Sequence, residues 1–593
     1  MLQSRWLFAV ASVMALWPIT VHAKLSCPLY GLGYPKPSDL LDSEGIQKAA
    51  TRLDTVFAEY IDNANNTNSD YFSYSVQVFS ATEEQPLWSH HWTAKSLATM
   101  NTTGVKKIDG DTVYRVGSVT KILSMLTFLA EVGDASWNEP ITSFVPEVAD
   151  MVANGSDYSH SLTTPDWGSI TIGSLASQIS GLMRDYTLLG ELTQSSNVSQ
   201  ATKIGFPALP DVDIPPCGDA PVCSRTQFFD GLKKLPPSFS PFVTPAYSDI
   251  GYTLLGYALE SMTGKSFQQS FEDSVVKPLN LNRTFYSTPN DSLGVIPGGR
   301  YLTAWAFDMG HESPTGSVYA STSDLSTIGR AVLRSTLIPS ALTRRWLRPV
   351  TFSSDPVSSV GSPWGVRRLP LPTNSSYQFA TAFNKLGSMG KYSALLAVIP
   401  DFDLGFSVLG AGELPAALIL SIADTLSDTY LPTLLAIART QANATYAGSY
   451  QYISSNSTLN SSITISVDDS HPGLGVSSWI SNGTNLMVIS VALAQNITQR
   501  YWTDIQPSIR LYPTGLWDTT ADGGKRVGFK AVFEDLSAPN VSYPFTTDCT
   551  TWIKVAGVVY GSQPLDSFVF DFAANGTVVA MENAALRIRL VKT

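Results

Sequence analysis

Past Ala442 the texture of the chain changes, and that break constrains the fold more than any single motif. YAGSYQYIS, SSITISVDD, NLMVISVAL, RVGFKAVFE, SFVFDFAANGTVVAME and LRIRLVK read as short strands separated by Asn, Ser, Gly and Asp turns. Strands at such spacing predict a β-sandwich or barrel. Before the break, longer patterns alternate. The spacing from Ser43 to Ile61 predicts an amphipathic helix. FSYSVQVFS (72–80) and PLWSHHWTA (86–94) predict paired strands, and TKILSMLTFLAEVG predicts an apolar, buried helix ending at Gly133. GYTLLGYALESMTG predicts a further helix closed by Gly264. YSALLAVIPDFDLGFSVLGAG predicts two antiparallel strands turned at PDFD, followed by a helix from about Ala416 to Ala438. Between 184 and 245 the chain is rich in Pro, Gly, Ser and Asn, as in a long surface excursion. A chain of 593 residues exceeds what one core serves. The expected division is a leader at 1–23, a domain at 24–440 and a β-rich domain at 441–593.

The leader reads as a secretory signal. Arg5 precedes an apolar run from Trp6 to Trp17, a Pro18 break, and Val21-His22-Ala23, with cleavage expected after Ala23. That run of about a dozen residues falls short of the ~20 needed to span a bilayer, so no stable membrane anchor is expected. Two features agree with secretion. Sequons are dense, at Asn65, Asn101, Asn154, Asn197, Asn282, Asn290, Asn374, Asn443, Asn456, Asn460, Asn482, Asn496, Asn540 and Asn575. The four cysteines are even in number and all lie beyond the leader. Cys217 and Cys223 close a short CGDAPVC loop and are natural partners, which by parity leaves Cys27 for Cys549; three connectivities are formally open. A net charge of −11 without a basic stripe argues against a nucleic-acid partner.

Chemistry enters with VYRVGSVTKILSML, where Ser118 stands three positions before Lys121 at the start of a predicted helix. Ser-x-x-Lys recurs at Ser274/Lys277 and Ser388/Lys391, so the motif alone decides little. A serine hydroxyl becomes a nucleophile only beside a base and donors for the developing oxyanion. Histidine does not supply that base readily. Among the six, His22 lies in the leader, His90 and His91 in a predicted strand, His471 in the C-terminal β region, and His160 and His311 in polar loops. No Gly-x-Ser-x-Gly elbow exists either, which disfavours a Ser-His-Asp hydrolase. Lys121, one turn beyond Ser118, shares its helix face.

GSVTK with its apolar helix, PAYSDIGYTLLGYALESMTG, and NKLGSMGKYSALLAVIPDFDLGFSVL stand in an order and spacing that resemble class C β-lactamase-like serine hydrolases, a family that includes penicillin-binding proteins, peptidases, esterases and transesterases. The resemblance covers roughly 40–440, and the YAGSYQ and CTTWIKV stretches are similar to the two-domain secreted fungal type. It implies an α/β/α domain with an antiparallel sheet, followed by an all-β C-terminal domain. It implies Ser118 as nucleophile with Lys121 as its lysine, Tyr247 as the proton carrier, and Lys385 as the lysine of the strand lining the site. It further implies that the backbone N–H groups of Ser118 and Ser388 bind the oxyanion, and that Gly387 lets the strand approach substrate. Two lysines beside a phenol would lower its pKa and let it act as a base. Three places depart from the family: Asp249 replaces an asparagine, Leu386 replaces the threonine of Lys-Thr-Gly, and QISGL at 178–182 stands where the family often has His-Thr-Ser-Gly-Leu. A carboxylate accepts only, so Asp249 is expected to pair with Lys121.

The expected activity is hydrolysis of a small-molecule ester or amide through an acyl-enzyme on Ser118, with no metal or cofactor. Transfer of the acyl group to an alcohol or amine would use the same residues. A catalytically silent binding protein is the reading from another class, and Asp249 is what favours it.

Overall fold

The computed structural model describes residues 26–62, 70–153, 161–193, 198–218, 221–372, 378–413, 416–453, 460–539 and 549–593. The leader and Asn65, Asn154, Asn197, Asn374, Asn456 and Asn540 lie outside them; the eight described sequon asparagines are all exposed. Two compact units result. One comprises Ser38–Leu369 and Thr381–Leu434; the other comprises the chain up to Pro37, Pro370–Ala380 and Leu435–Thr593.

The first unit is a β-lactamase/transpeptidase-like α/β/α fold. After α1 (Glu44–Val56) come β1 (Phe72–Ser80) and β2 (Trp88–Trp92). Three two-residue strands, β3 (Tyr114–Arg115), β4 (Thr284–Phe285) and β5 (Tyr319–Ala320), make a small separate sheet. Helices α2 (Thr120–Val132), α3 (Asp249–Thr263) and α4 (Thr322–Arg334) are interleaved with them. Then follow β6 (Thr351–Phe352), β7 (Ser358–Val360), β8 (Gly365–Pro370), β9 (Phe379–Met389), β10 (Tyr392–Ile399) and β11 (Leu404–Gly412). The main sheet has eight strands in the order β2-β1-β11-β10-β9-β8-β7-β6.

Helices cover both faces of this sheet, and β1 records it: all nine of its residues are buried. Successive side chains of a strand point to opposite faces. Tyr74 turns towards the end of α1, its ring 6.2 Å from Phe57. Phe79 turns the other way onto α4, so close that a Cβ on Gly329 would lie 2.2 Å from its ring.

Helix α5 (Ala416–Tyr446) carries the chain onward, eight residues past the expected end at Ala438 and through Pro432. The second unit then contributes β12 (Gly448–Gln451), β13 (Ser462–Ser466), β14 (Leu474–Ser481), β15 (Thr484–Asn485), α6 (Leu486–Ala494), β16 (Pro507–Thr519) and β17 (Lys525–Asp535). A hairpin of β18 (Val559–Tyr560) and β19 (Gln563–Pro564) precedes β20 (Ser567–Phe572), β21 (Val578–Asn583) and β22 (Ile588–Lys592). The order β13-β12-β22-β21-β20-β17-β16-β14 closes when β14 pairs back with β13, giving a β-barrel; β15 hangs on β14. At its core the rings of Tyr446, Phe529 and Phe570 meet edge to face, 4.9–5.2 Å apart. The N-terminal stretch belongs to this unit: Tyr34 donates its hydroxyl to the carbonyls of Asp468 and His471, each at 3.3 Å. Both expected disulfides are present, Cys27–Cys549 and Cys217–Cys223.

NLMVISVAL is a correction, for it forms helix α6 and not a strand. Asn485 starts the helix by accepting the Met487 N–H at 3.0 Å, and Val491 and Ala492 bury against the barrel core. The excursion at 184–245 also holds two short helices, Val198–Lys203 and Arg225–Leu232.

Truncating Phe570, fully buried at the barrel centre, to Ala is expected to cost about 3–5 kcal/mol in the unfolding transition of this unit. Denaturant titration of the full chain, followed by tryptophan fluorescence, measures it.

Candidate active site

Three segments from distant parts of the sequence converge at the N-terminus of α2. The chain enters through the turn Gly117–Val119, which carries Ser118 half-buried just ahead of the helix. Ser118 caps nothing: the residue at the helix boundary is Val119, and no side chain caps there. Its Oγ instead accepts from the Tyr247 hydroxyl at 2.7 Å and from Lys121 Nζ at 3.3 Å.

Lys121 is fully buried, and its ammonium spends its three protons on three acceptors. These are Asp249 Oδ1 at 2.5 Å, the Thr315 carbonyl at 2.7 Å and Ser118 Oγ. Burial alone would lower the pKa of this lysine, but Asp249 and Tyr247 outweigh it and hold the pKa above the ordinary value. Lys121 is therefore a fixed cation, as the pairing expected of Asp249 requires. Asp249 is itself the first residue of α3, where the helix dipole favours a carboxylate, and its N–H donates to the Arg184 carbonyl at 2.6 Å.

Tyr247 lies two residues before Asp249 on a segment clamped to 178–184. Gln178 takes the Ser248 N–H on Oε1 at 2.5 Å and the Ala246 N–H on its carbonyl at 2.8 Å. Ser248 caps α3 and donates its hydroxyl to the Met183 carbonyl at 2.8 Å. The tyrosine ring is ringed by cations: Lys121 Nζ and Lys385 Nζ each lie 5.0 Å from its centroid, and the Arg184 guanidinium 5.3 Å. Burial pushes the Tyr247 phenol up, yet Lys121 and then Lys385 overcome this and leave its pKa below that of a free tyrosine, with Asp249 opposing. Lys385 moves the other way; burial, with Lys121 adding to it, lowers its pKa against the pull of Tyr247.

Lys385, Gly387 and Ser388 lie on β9, which runs past the Ser118 turn backbone to backbone. A Cβ on Gly387 would sit 2.1 Å from the Val116 carbonyl oxygen and 2.6 Å from the Ser118 nitrogen. From the opposite side, a Cβ on Gly117, at φ +51°, would sit 2.6 Å from the Ser388 nitrogen. The backbone nitrogens of Ser118 and Ser388 thus come from two segments pressed together. Ser118, Lys121, Tyr247, Asp249, Lys385, Gly387 and Ser388 all fall in this one place.

Of the other Ser-x-x-Lys copies, Ser274/Lys277 does not, and Ser388 is there without its Lys391. Ser274 donates to the Ser270 carbonyl at 2.6 Å, and Lys277 pairs with Asp273 at 2.7 Å on the surface. Lys391 pairs with Glu413. Among the described residues no group of three or more His, Cys, Asp or Glu is arranged to hold a metal ion, and no helix is long and apolar enough to cross a membrane. Sequence reading missed Thr315 and Arg184, which act here largely through carbonyl groups, and gave no role to Gln178 of QISGL, which accepts through both Oε1 and its carbonyl. One sequence signal in the excursion was available: Ser224 and Gln227 form a capping box at the start of Arg225–Leu232.

Asp249→Ala would leave the Lys121 ammonium buried without its counter-charge, at an expected cost of about 3–5 kcal/mol. Asp249→Asn keeps an acceptor and should cost less; thermal or urea unfolding of both variants distinguishes them.

Comparison with known proteins gives the family of the chain. Residues 79–421 match the Beta-lactamase family, and residues 438–593 match the family described as Beta-lactamase-like-like, C-terminal domain. A "Beta-lactamase-like protein" of Arthroderma benhamiae is 28% identical over 598 residues, covering 95% of this chain and 96% of that one. "Probable hydrolase M10" of a Phoma species is 26% identical over 460 residues, 75% of this chain and 73% of that one. Among solved structures, a D-stereospecific amidohydrolase from Streptomyces aligns with a TM-score of 0.45 at 16% identity, over 66% of this chain and 98% of that one. A class C β-lactamase aligns with a TM-score of 0.44 at 14% identity over the same shares. The chain belongs to the β-lactamase family of hydrolases and carries that family's β-lactamase-like C-terminal domain.

Proposed function

We propose that the chain is a secreted serine hydrolase that cleaves a small-molecule ester or amide through an acyl-enzyme on Ser118. The observation that carries this reading is the 2.7 Å contact between the Tyr247 hydroxyl and Ser118 Oγ, with two lysines 5.0 Å from the phenol ring. Lys121 cannot be the base, because all three of its protons are engaged. Tyr247, in its phenolate form, takes the Ser118 proton as Oγ attacks the substrate carbonyl carbon. The oxyanion is received by the N–H groups of Ser118 and Ser388. The intermediate collapses as the Tyr247 hydroxyl returns the proton to the leaving alcohol or amine, and Ser118 keeps the acyl group. Water then attacks the acyl carbon, gives its proton to Tyr247, and Ser118 leaves with that proton. Asp249 is occupied by Lys121, and Leu386 brings no hydroxyl to the strand, so neither supplies the polar contacts a β-lactam side chain and carboxylate would use. This favours an ester or a simple amide. The two disulfides and the exposed sequon asparagines support secretion.

Intact-mass analysis after exposure to activated esters, thioesters and β-lactams tests the reading. The expected result is an acyl adduct on the wild type that is absent from Ser118→Ala. Tyr247→Phe should slow acylation by about 10²–10⁴-fold. The wild-type rate should rise with pH through an inflection below the ordinary tyrosine range, as phenolate forms. A folded protein that never acquires an adduct would be a binding protein on this fold; an adduct released faster by an added alcohol or amine than by water would make the enzyme an acyltransferase.

A further inference from the structure

Behind the Lys121–Asp249 pair the protein buries two more carboxyl groups that the proposed reaction does not use. Asp185 is 7% exposed and Glu312 3%. Asp185 follows Arg184, whose carbonyl takes the Asp249 N–H. Glu312 stands on the turn Gly310–Thr315, whose Thr315 carbonyl takes a Lys121 proton and whose Pro314 carbonyl takes the Ser124 hydroxyl. Asp185 Oδ1 accepts the Leu188 N–H at 2.8 Å, but among the described residues its Oδ2 has no partner, nor has Glu312 Oε1, nor the buried Gln178 Nε2. Two buried, orphaned carboxylate oxygens cannot both remain charged beside a third carboxylate without a cation or a proton.

Among the described residues, the cations nearby are committed elsewhere or held at a distance. Lys121 of α2 is held by Asp249. Arg184 is two-thirds exposed and reaches Asp249 Oδ2 only at 4.0 Å. Arg225 is bound to Glu147. His311, on the same turn as Glu312, bonds Tyr257 of α3 at 2.7 Å, and burial lowers its pKa.

We propose that Asp185 and Glu312 form a buried carboxyl pair that carries one proton at neutral pH, and that this proton fixes the charge against which Lys121, Asp249 and Tyr247 work. The pair is a positioning device, resting on the Ser118–Tyr247 reading only for its effect on rate. Leu188 and Met309, three residues from Asp185 and Glu312 respectively, pack in one buried cluster and bring the two segments together. Burial, then Asp249, raises the Asp185 pKa to about 6, and burial, then Asp185 and Asp249, raises that of Glu312 to about 8. These values belong to the pair as it loses its protons in turn. Loss of the second proton adds a negative charge beside Asp249 and so opposes phenolate formation at Tyr247.

The sign for stability follows. Glu312 binds its proton more tightly folded than unfolded, so between its unfolded pKa and about 8 the native state holds the extra proton and stability falls as pH rises.

Infrared difference spectroscopy of the full chain, without substrate, reads the proton directly. The expected result is a protonated-carboxyl band at pH 7 that bleaches with a midpoint near 8, is missing in Glu312→Gln, and bleaches at lower pH in Asp185→Asn. Acylation by an activated ester, followed against pH, should lose an inflection near 8 in Glu312→Gln, and that inflection should move towards neutrality in Asp185→Asn. A wild type with no such band, or a band unchanged in Glu312→Gln, overturns the pair. A band that behaves as expected beside an unaltered pH–rate profile overturns the coupling to Tyr247. If nothing acylates the protein, the Ser118 reading fails while the infrared measurement still decides the shared proton.

Discussion

A buried ammonium must be surrounded before anything else in this molecule can be arranged. Taking a cation the size of Lys121 out of water costs several kcal/mol even after relaxation, and the protein offsets that with a carboxylate, a carbonyl and a hydroxyl. Each acceptor arrives from a different segment: Asp249 from the start of α3, Thr315 from a turn, and Ser118 from the approach to α2. One charge therefore gathers three pieces of chain separated by up to 194 residues. Tyr247 is delivered as part of the same act, because it precedes Asp249 by two positions.

The second constraint is steric. β9 and the Ser118 turn approach so closely that each side must present a glycine, Gly387 and Gly117. Any Cβ at either position would pry apart the two segments that carry the Ser118 and Ser388 backbone nitrogens. Lys121 fixes the electrostatics and these glycines fix the spacing, and the two devices act on the same serine from opposite ends.

Much of this was legible because the relevant residues carry their chemistry in side chains. Ser118 and Lys121 stand out by their spacing at a helix start, Tyr247, Asp249 and Lys385 only through the resemblance to the β-lactamase-like hydrolases, and the two helices announce themselves through apolar spacing and the closing glycines Gly133 and Gly264. What escaped notice acts through groups every residue possesses. The carbonyls of Thr315, Arg184 and Gln178 would be there whatever the side chains, so no pattern marks them. In the barrel, β16 is not among the strands expected from the sequence; its Pro513 sits where the pairing with β17 shifts register, which tolerates the missing N–H. NLMVISVAL misled for another reason. A short run apolar on every side fits a buried strand or a buried helix equally, and only the Asn485 cap distinguishes them.

The Cys27–Cys549 bond and the contacts of Tyr34 make the barrel unit discontinuous along the chain. Cys27 is made before the rest of its unit, and its partner cysteine emerges 522 residues later. Ribosomes add roughly 5–20 residues per second, so the Cys27 thiol must wait on the order of half a minute or more for its mate. During that interval Ser38 onward can already be assembling its own core. The order of completion therefore differs from the order of synthesis: Cys27 is made before the first unit and paired after it, and a nascent chain cut short before Cys549 carries an unpaired Cys27 thiol as the mark of its incompleteness.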